Sequence, residues 1–272
     1  MRHEKLSPSG MKTWANCSGS PQLIEALDLP PEDMAEKPAA LQGTVAHYIV
    51  ERCFLEGIST DQFIKRNVTT AEGYSYYADS DLIAAVNMYL SYVRGSKSLF
   101  SDFEIERFYS LERLDVPGLG GGTCDFIAFD TDRKALEVVD FKNGVRNVIS
   151  PRQNWQLMQY ALGFCLSRLQ DTPDSKSLPK PEELDELEPW DIRLTIVQPR
   201  GLQDEKITHW DTSFSDMWSW AEDFLIPRAQ ETKSPDARLT MSPEACQWCR
   251  AKPACPEYQK LMNPLLQLIG AA

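Results

Sequence analysis

The sequence predicts an α/β chain, and three observations predict it. Residues 121–142, GGTCDFIAFDTDRKALEVVDFK, hold two apolar runs of strand length, 124–129 and 135–139, around the polar break DTDR, which is the pattern of a β-hairpin. Stretches 103–111 and 191–199 alternate apolar and polar residues as strands do. Segments at 39–57, 81–93 and 151–169 repeat their apolar residues at helical spacing.

Taken in order, residues 6–17, LSPSGMKTWANC, carry a helix start: Ser7 can cap, Pro8 suits the first helical position, and Met11, Trp14 and Ala15 share a face. Residues 20–40 are rich in Pro and acids and read as an irregular connection. From Ala39 the stripe Leu41, Val45, Ile49, Cys53 marks a helix that Gly57 stops. Gly43 sits inside it, at a cost of about 1 kcal/mol relative to Ala, and is expected to permit close backbone approach. His47 and Glu51 follow at one-turn intervals; taken alone, His47 reads as a partly buried helix histidine.

Residues 61–97 read as two helical stretches, the second at 81–93 being the clearer. The strand at 103–111 presents Glu104 and Glu106 on one face, expected to be solvated. Gly118 to Gly122 form a flexible approach to the hairpin. The run ALEVV is apolar on both faces and suits a central, covered strand. After Pro151 comes a helix with the stripe Trp155, Met158, Leu162 and Cys165 or Leu166, and with Gln156 and Tyr160 at i, i+4 on one side. A Pro-rich acidic loop, a strand at 191–199 and a helix capped at Ser213 complete the pattern. His209, in a polar strand-like stretch, receives no role.

The net charge is −12, which argues against nucleic acid if read as a uniform field. It is not uniform: residues 171–191 hold eight acids against two lysines, half of the excess. A site built from carboxylates adds negative charge that a bound metal offsets. No apolar run approaches the roughly 20 residues of a membrane span, and the N-terminus lacks an apolar signal region. A reducing cytoplasm is the expected setting, so the seven cysteines serve as packed hydrophobes or metal ligands.

Cys246, Cys249 and Cys255 stand as C-x2-C-x5-C, a spacing that suits zinc or an iron–sulfur cluster. The fourth ligand is Cys17, Cys53, Cys124 or Cys165. The last three lie in apolar periodic runs, so Cys17 is the best candidate.

In the hairpin, Asp140 and Lys142 point the same way and Asp125 sits on the partner strand. Buried charges are costly unless paired or metal-bound. A divalent cation between Asp125 and Asp140, with Lys142 beside it, accounts for them; strand-end acids facing water are the plainer alternative.

Together these pieces resemble the RecB-like branch of the PD-(D/E)XK nucleases, and more closely its iron–sulfur members: AddB-type helicase-nucleases, CRISPR-associated adaptation exonucleases and related phage proteins. The resemblance covers residues 6–258 and follows the family's order: LSPSGMKTWANC, GTVAH, GGTCDFIAFD, VVDFKNG, QLMQYALG and the cysteine triple. It implies a restriction-endonuclease-like fold, a central mixed sheet flanked by helices, as a single domain over 1–272. Segments 1–20 and 240–260 would join at a [4Fe–4S] cluster on Cys17, Cys246, Cys249 and Cys255, with zinc as the alternative.

It further implies His47, Asp125 and Asp140 as ligands of Mg²⁺ or Mn²⁺, Lys142 as catalytic lysine, Gln156 and Tyr160 as its supports, and Arg146 and Arg152 on DNA phosphates. The implied activity is a metal-dependent deoxyribonuclease, an exonuclease of recombination, repair or phage DNA processing. Its partners would be DNA and a recombinase, annealing protein or helicase, in the bacterial or phage-host cytoplasm, with a homo-oligomer possible and no membrane. No nucleotide-binding G-x-x-x-x-G-K-[ST] motif is present, so the nuclease comes without a motor. A catalytically inactive, metal-stapled nucleic-acid-binding module is the competing class.

Overall fold

The structure is a computed structural model that describes residues 6–30, 37–145, 147–169 and 177–268. Two short helices, α1 (Met11–Trp14) and α2 (Ser20–Ala26), precede the long α3 (Pro38–Leu55). A small hairpin, β1 (Arg66–Thr69) with β2 (Ser75–Ala78), leads to α4 (Ser80–Lys97). Then come β3 (Asp102–Ser110), β4 (Gly121–Asp130), β5 (Ala135–Phe141), α5 (Trp155–Leu166), α6 (Pro181–Leu187), β6 (Asp191–Val197) and β7 (Ile207–Ser213). The chain ends with α7 (Phe214–Trp220), a π-helical turn at Ala221–Leu225, α8 (Ile226–Glu231), α9 (Pro243–Cys246) and α10 (Pro256–Leu268).

Strands β3 to β7 form one mixed sheet in chain order, antiparallel except for the parallel step from β5 to β6. A parallel pair needs a long crossover, and α5 and α6 supply it. Side chains alternate across the sheet. Phe126, Ala128, Val139 and Phe141 pack under α3 and α4. Ile127, Phe129, Leu136 and Val138 pack under α1, α5 and α7. Each such side chain contributes about 1.5–3 kcal/mol on burial, so a strand apolar on both sides gains most at the centre. That is where β5 lies, as its sequence predicts.

One acid breaks the pattern. Glu137 on β5 is buried, and its carboxylate accepts O–H bonds from Tyr92 at 2.6 Å, Thr195 at 2.7 Å and Ser96. A charge survives out of water only with such partners.

Several expectations need correction. The first helical stretch expected within 61–97 is the β1–β2 hairpin after a short 3₁₀ turn; Val68 and Ala78 are its buried side chains, a period of two too short to register. The N-terminal helix spans only Met11–Trp14, although Ser7 Oγ still accepts the Gly10 amide at 3.2 Å and Met11, Trp14 and Ala15 are all buried. Part of the connection at 20–40 is helical, and the acidic loop contains α6, where the Glu183 carboxylate caps the Lys180 amide at 2.8 Å. Arg113 reaches Glu183 at 2.7 Å and ties α6 to the body. A Cβ on Gly43 would meet no heavy atom within 4 Å, so the close approach expected there is instead open space.

The two ends of the chain are joined. Gly19 N donates to Arg238 O at 2.9 Å, Arg238 N to Ser18 Oγ at 3.1 Å, and Gln22 Nε2 to the carbonyls of Thr232 and Ser234 at 2.9 Å each. A Cβ on Gly19 would come 2.9 Å from the Arg238 carbonyl carbon, which is why a glycine stands there. No helix among the described residues is long and apolar enough to cross a membrane.

Thr195→Val keeps the shape of its side chain but removes one donor from Glu137. It should lower stability by about 1–3 kcal/mol, read as a shift in urea midpoint at unchanged slope.

Candidate metal and cysteine sites

α3 packs Val45, Ala46, Ile49 and Val50 onto the sheet, and His47 meets the middle of β3 and β4. The imidazole is 31 % exposed, and its ring lies 5.4 Å from that of Phe141. Its Nδ1 stands 3.6 Å from Asp125 Oδ1 and 3.6 Å from Glu106 Oε1. These separations are too long for good hydrogen bonds. One ligand atom from each residue falls within 4.8 Å of the other two, a spread that one ion with bonds of about 2.1 Å can nearly span.

Glu106 is the candidate ligand that sequence reasoning missed. It was expected to be solvated, yet it stands opposite Asp125, between the register pairs Ile105–Phe126 and Arg107–Cys124. Its φ of 46° is left-handed, a conformation costing on the order of 1–3 kcal/mol for a non-glycine residue. The signal was available in part: a carboxylate on β3 in register with the Asp of β4. Glu104 is also paired, to Tyr109 Oη and Arg168 at 3.0 Å each.

Asp140 is 1 % exposed. It does not fall in the tight group with His47 and Asp125. It holds Lys142 instead, with Nζ 3.0 Å from Oδ1. Its Oδ2 lies 2.8 Å from the same ammonium but outside hydrogen-bonding geometry, so this buried oxygen keeps lone pairs for another cation. Lys142 Nζ also donates to Gln156 Oε1 at 3.0 Å, and Gln156 Nε2 donates to Tyr160 Oη at 3.0 Å. The helix pair Gln156 and Tyr160 thus meets the strand pair Asp140 and Lys142, as their spacing predicts. Asn154 caps α5 through the amides of Gln156 and Leu157, and so fixes the first turn.

Asp125 Oδ2 accepts the Phe141 amide at 2.7 Å, which locks β4 to β5 at the site. Burial is the first cause holding its carboxyl above the usual range. The His47 charge opposes that rise, and the Asp140 and Glu106 carboxylates add to it. Burial works against a charged His47, but Asp125, then Glu106 and Asp140, outweigh it and push the imidazole up to about 9. Lys142 is raised too: burial works against its charge, and Asp140 and Asp125 overcome it. The pattern is a pocket short of positive charge, and its mixed O and N donors fit Mg²⁺ or Mn²⁺. Arg146 lies outside the described residues. Arg152 is exposed on the turn before α5.

At the joined ends, α1 packs against α9 and brings Cys17 to the C-terminal cysteines. Cys17 Sγ accepts the Thr240 amide at 3.3 Å. Burial first, and the neighbouring Cys255 thiol after, raise Cys17. Cys249 is raised by burial and by Cys17, Cys246 and Cys255 together, so the four sulfurs share one neighbourhood. Cys53, Cys124 and Cys165 are buried in the core, and burial pushes their thiols up.

Because the folded His47 pKa is raised, its pairing with the acids is complete below about pH 6.5 and is lost as pH rises through about 9. A divalent cation competes with that proton. Mn²⁺ affinity should therefore climb from pH 6.5 to 9 with proton release, measured by calorimetry in buffers of different ionisation heat. Glu106→Gln should weaken binding by at least the roughly 10–100-fold that loss of an outer partner costs.

Comparison with known families places the whole fold and both sites inside one match. The family described as "Protein of unknown function (DUF2800)" matches residues 3–267, and the chain belongs to that family.

Proposed function

We propose that the protein is a metal-dependent deoxyribonuclease of the PD-(D/E)XK type. The observation that carries this reading is the triad His47, Glu106 and Asp125 lying against the Asp140–Lys142–Gln156–Tyr160 chain. The element order supports it: a helix bearing His47, three antiparallel strands, a crossover helix and a parallel strand fit the restriction-endonuclease-like arrangement.

His47, Glu106 and Asp125 would hold Mg²⁺ or Mn²⁺, with Asp140 facing them. When bound, the ion supplies Lewis-acid polarisation of a phosphate and favours hydroxide. Lys142, charged and fixed by Asp140 and Gln156, orients the attacking water and offsets charge building on the phosphoryl oxygens. Gln156 and Tyr160 hold that ammonium in place. The covered sheet behind Asp125 and Asp140 excludes water from all but the mouth. DNA is the substrate under this reading, and recombination, repair or phage DNA processing the setting.

The cysteine group is proposed as a [4Fe–4S] site on Cys17, Cys246, Cys249 and Cys255. Tetrahedral zinc with Zn–S bonds of about 2.3 Å would draw its sulfurs to about 3.8 Å. Four thiolates suit either occupant, and the resemblance in sequence favours the cluster. Its role is to clamp the chain's ends.

End-labelled single- and double-stranded DNA should be cut with Mn²⁺ present. Asp140→Asn and Lys142→Ala should each slow cutting by about 10²–10⁴-fold while leaving thermal unfolding two-state. Parent protein that binds DNA but never cuts it would identify a non-catalytic binding module. Anaerobically purified protein should contain iron and absorb broadly near ~400 nm; zinc in stoichiometric amount with no such band would overturn the cluster assignment.

A further inference from the structure

Arg200 is a cation that the candidate metal centre does not use. It sits half-buried in the loop between β6 and β7, and among the described residues it faces no carboxylate. Its guanidinium donates to a neutral acceptor, Gln42 Oε1, and the same oxygen takes Asn143 Nδ2 at 3.2 Å. Among the described residues Gln42 Nε2 donates to no partner. Asn143 is 8 % exposed and holds Gln42 Oε1 through its Nδ2. In a chain of net charge −12, a half-buried arginine beside amides and not acids is a vacancy for an anion.

The loop is built to hold it. Gln198, 1 % exposed, donates to the carbonyls of Gly144 at 2.8 Å and Asn147 at 2.7 Å, and accepts the Ile149 amide at 3.0 Å. Lys206 Nζ binds the carbonyls of Gly201 at 2.8 Å and Gln203 at 2.6 Å. Arg200 is therefore pinned to the segment that follows Lys142. Beside Gln42, Gly43 leaves space in which a Cβ would meet nothing within 4 Å.

The position sets the occupant. Gln42 precedes His47 by five residues on α3, about 7.5 Å along the axis. That is beyond the reach of bonds of about 2.1 Å to a metal at His47. Asn143 adjoins Lys142 in the chain. An anion here is thus a neighbour of the reacting phosphate and not the same group.

We propose that Arg200, Gln42 and Asn143 form a phosphate subsite that grips the phosphodiester adjoining the one cut. The proposal rests on the nuclease reading for the identity of its ligand, and for its existence on a guanidinium that meets no carboxylate among the described residues. Arg200 supplies the charge and a planar fork of donors. Gln42 adds neutral N–H donors, and Asn143 fixes the Gln42 amide.

The test compares parent, Arg200→Gln and Gln42→Glu. Gln42→Glu is nearly isosteric, keeps the bond to Arg200 and neutralises it in place, so folding is spared. Anisotropy of a labelled single-stranded oligonucleotide, with Ca²⁺ replacing Mn²⁺, gives affinity at several salt concentrations. Both variants should bind about tenfold or more weaker, and the salt slope should fall by about one. Inorganic pyrophosphate binding, followed by calorimetry, should be lost in both. Parent-like affinity and slope in both variants would overturn the subsite. Pyrophosphate binding that depends on Arg200, in a parent that ignores DNA, would keep the subsite and sink the nuclease reading. A parent that binds neither would overturn the subsite too.

Discussion

Three carboxylates at the covered end of an apolar sheet impose the constraint on which the rest depends. Glu106, Asp125 and Asp140 come from three adjacent strands, and the pairing register leaves them no way to separate. Like charges about 4 Å apart repel by about 4 kcal/mol at an effective dielectric of 20. Helices over both sheet faces keep bulk water from screening them. The chain supplies His47 from one side and Lys142 from the other, and both are raised as they absorb the excess. Once His47 gives up its proton, Lys142 alone stands against three acids, and a divalent ion would meet the deficit where His47 stands open.

The scaffold around this cluster is stiff for the same reason. Asp125 takes a backbone amide of β5, Lys142 N extends the ladder to Val197 O at 2.9 Å, and Asn154 caps the helix that carries Gln156. Side chains held this way need little rearrangement, the condition under which preorganised electrostatics would lower a barrier in the proposed reaction. The strained φ of Glu106 belongs to the same economy, since the flanking pairs hold a conformation that the isolated residue would leave.

Much of this was legible in the residues. The hairpin, the central place of β5, the shared side of Gln156 and Tyr160 and the cap at Ser213, whose Oγ takes the Asp216 amide, follow from period and local chemistry. What escaped was set by long-range register. Nothing local marks Glu106 as facing Asp125, or Glu137 as a satisfied buried acid whose donors come from α4 and β6. Short elements escaped as well: β1 and β2 bury too few side chains for a two-residue period to stand out, and α6 is composed mostly of polar residues. That Asp140 holds Lys142 while lying outside the tight group of His47, Glu106 and Asp125 turns on a few ångströms that spacing alone does not encode.

The union of the two chain ends bears on how the molecule is made. Cys17 meets Thr240 and its fellow cysteines only after more than two hundred intervening residues exist. During synthesis the N-terminal segment emerges first, so Leu6, Met11 and Trp14 can settle on the sheet while the Cys17 thiol still lacks its companions. A newborn chain would therefore carry a finished sheet and an open clasp until translation ends. Truncation of the last thirty residues would leave the acidic pocket and the anchors of Gly19 and Gln22 intact in sequence, yet strip Cys17 of Cys246, Cys249 and Cys255. Closing so long a loop costs only slightly more than closing a short one, which makes a late clasp a workable way to finish the fold.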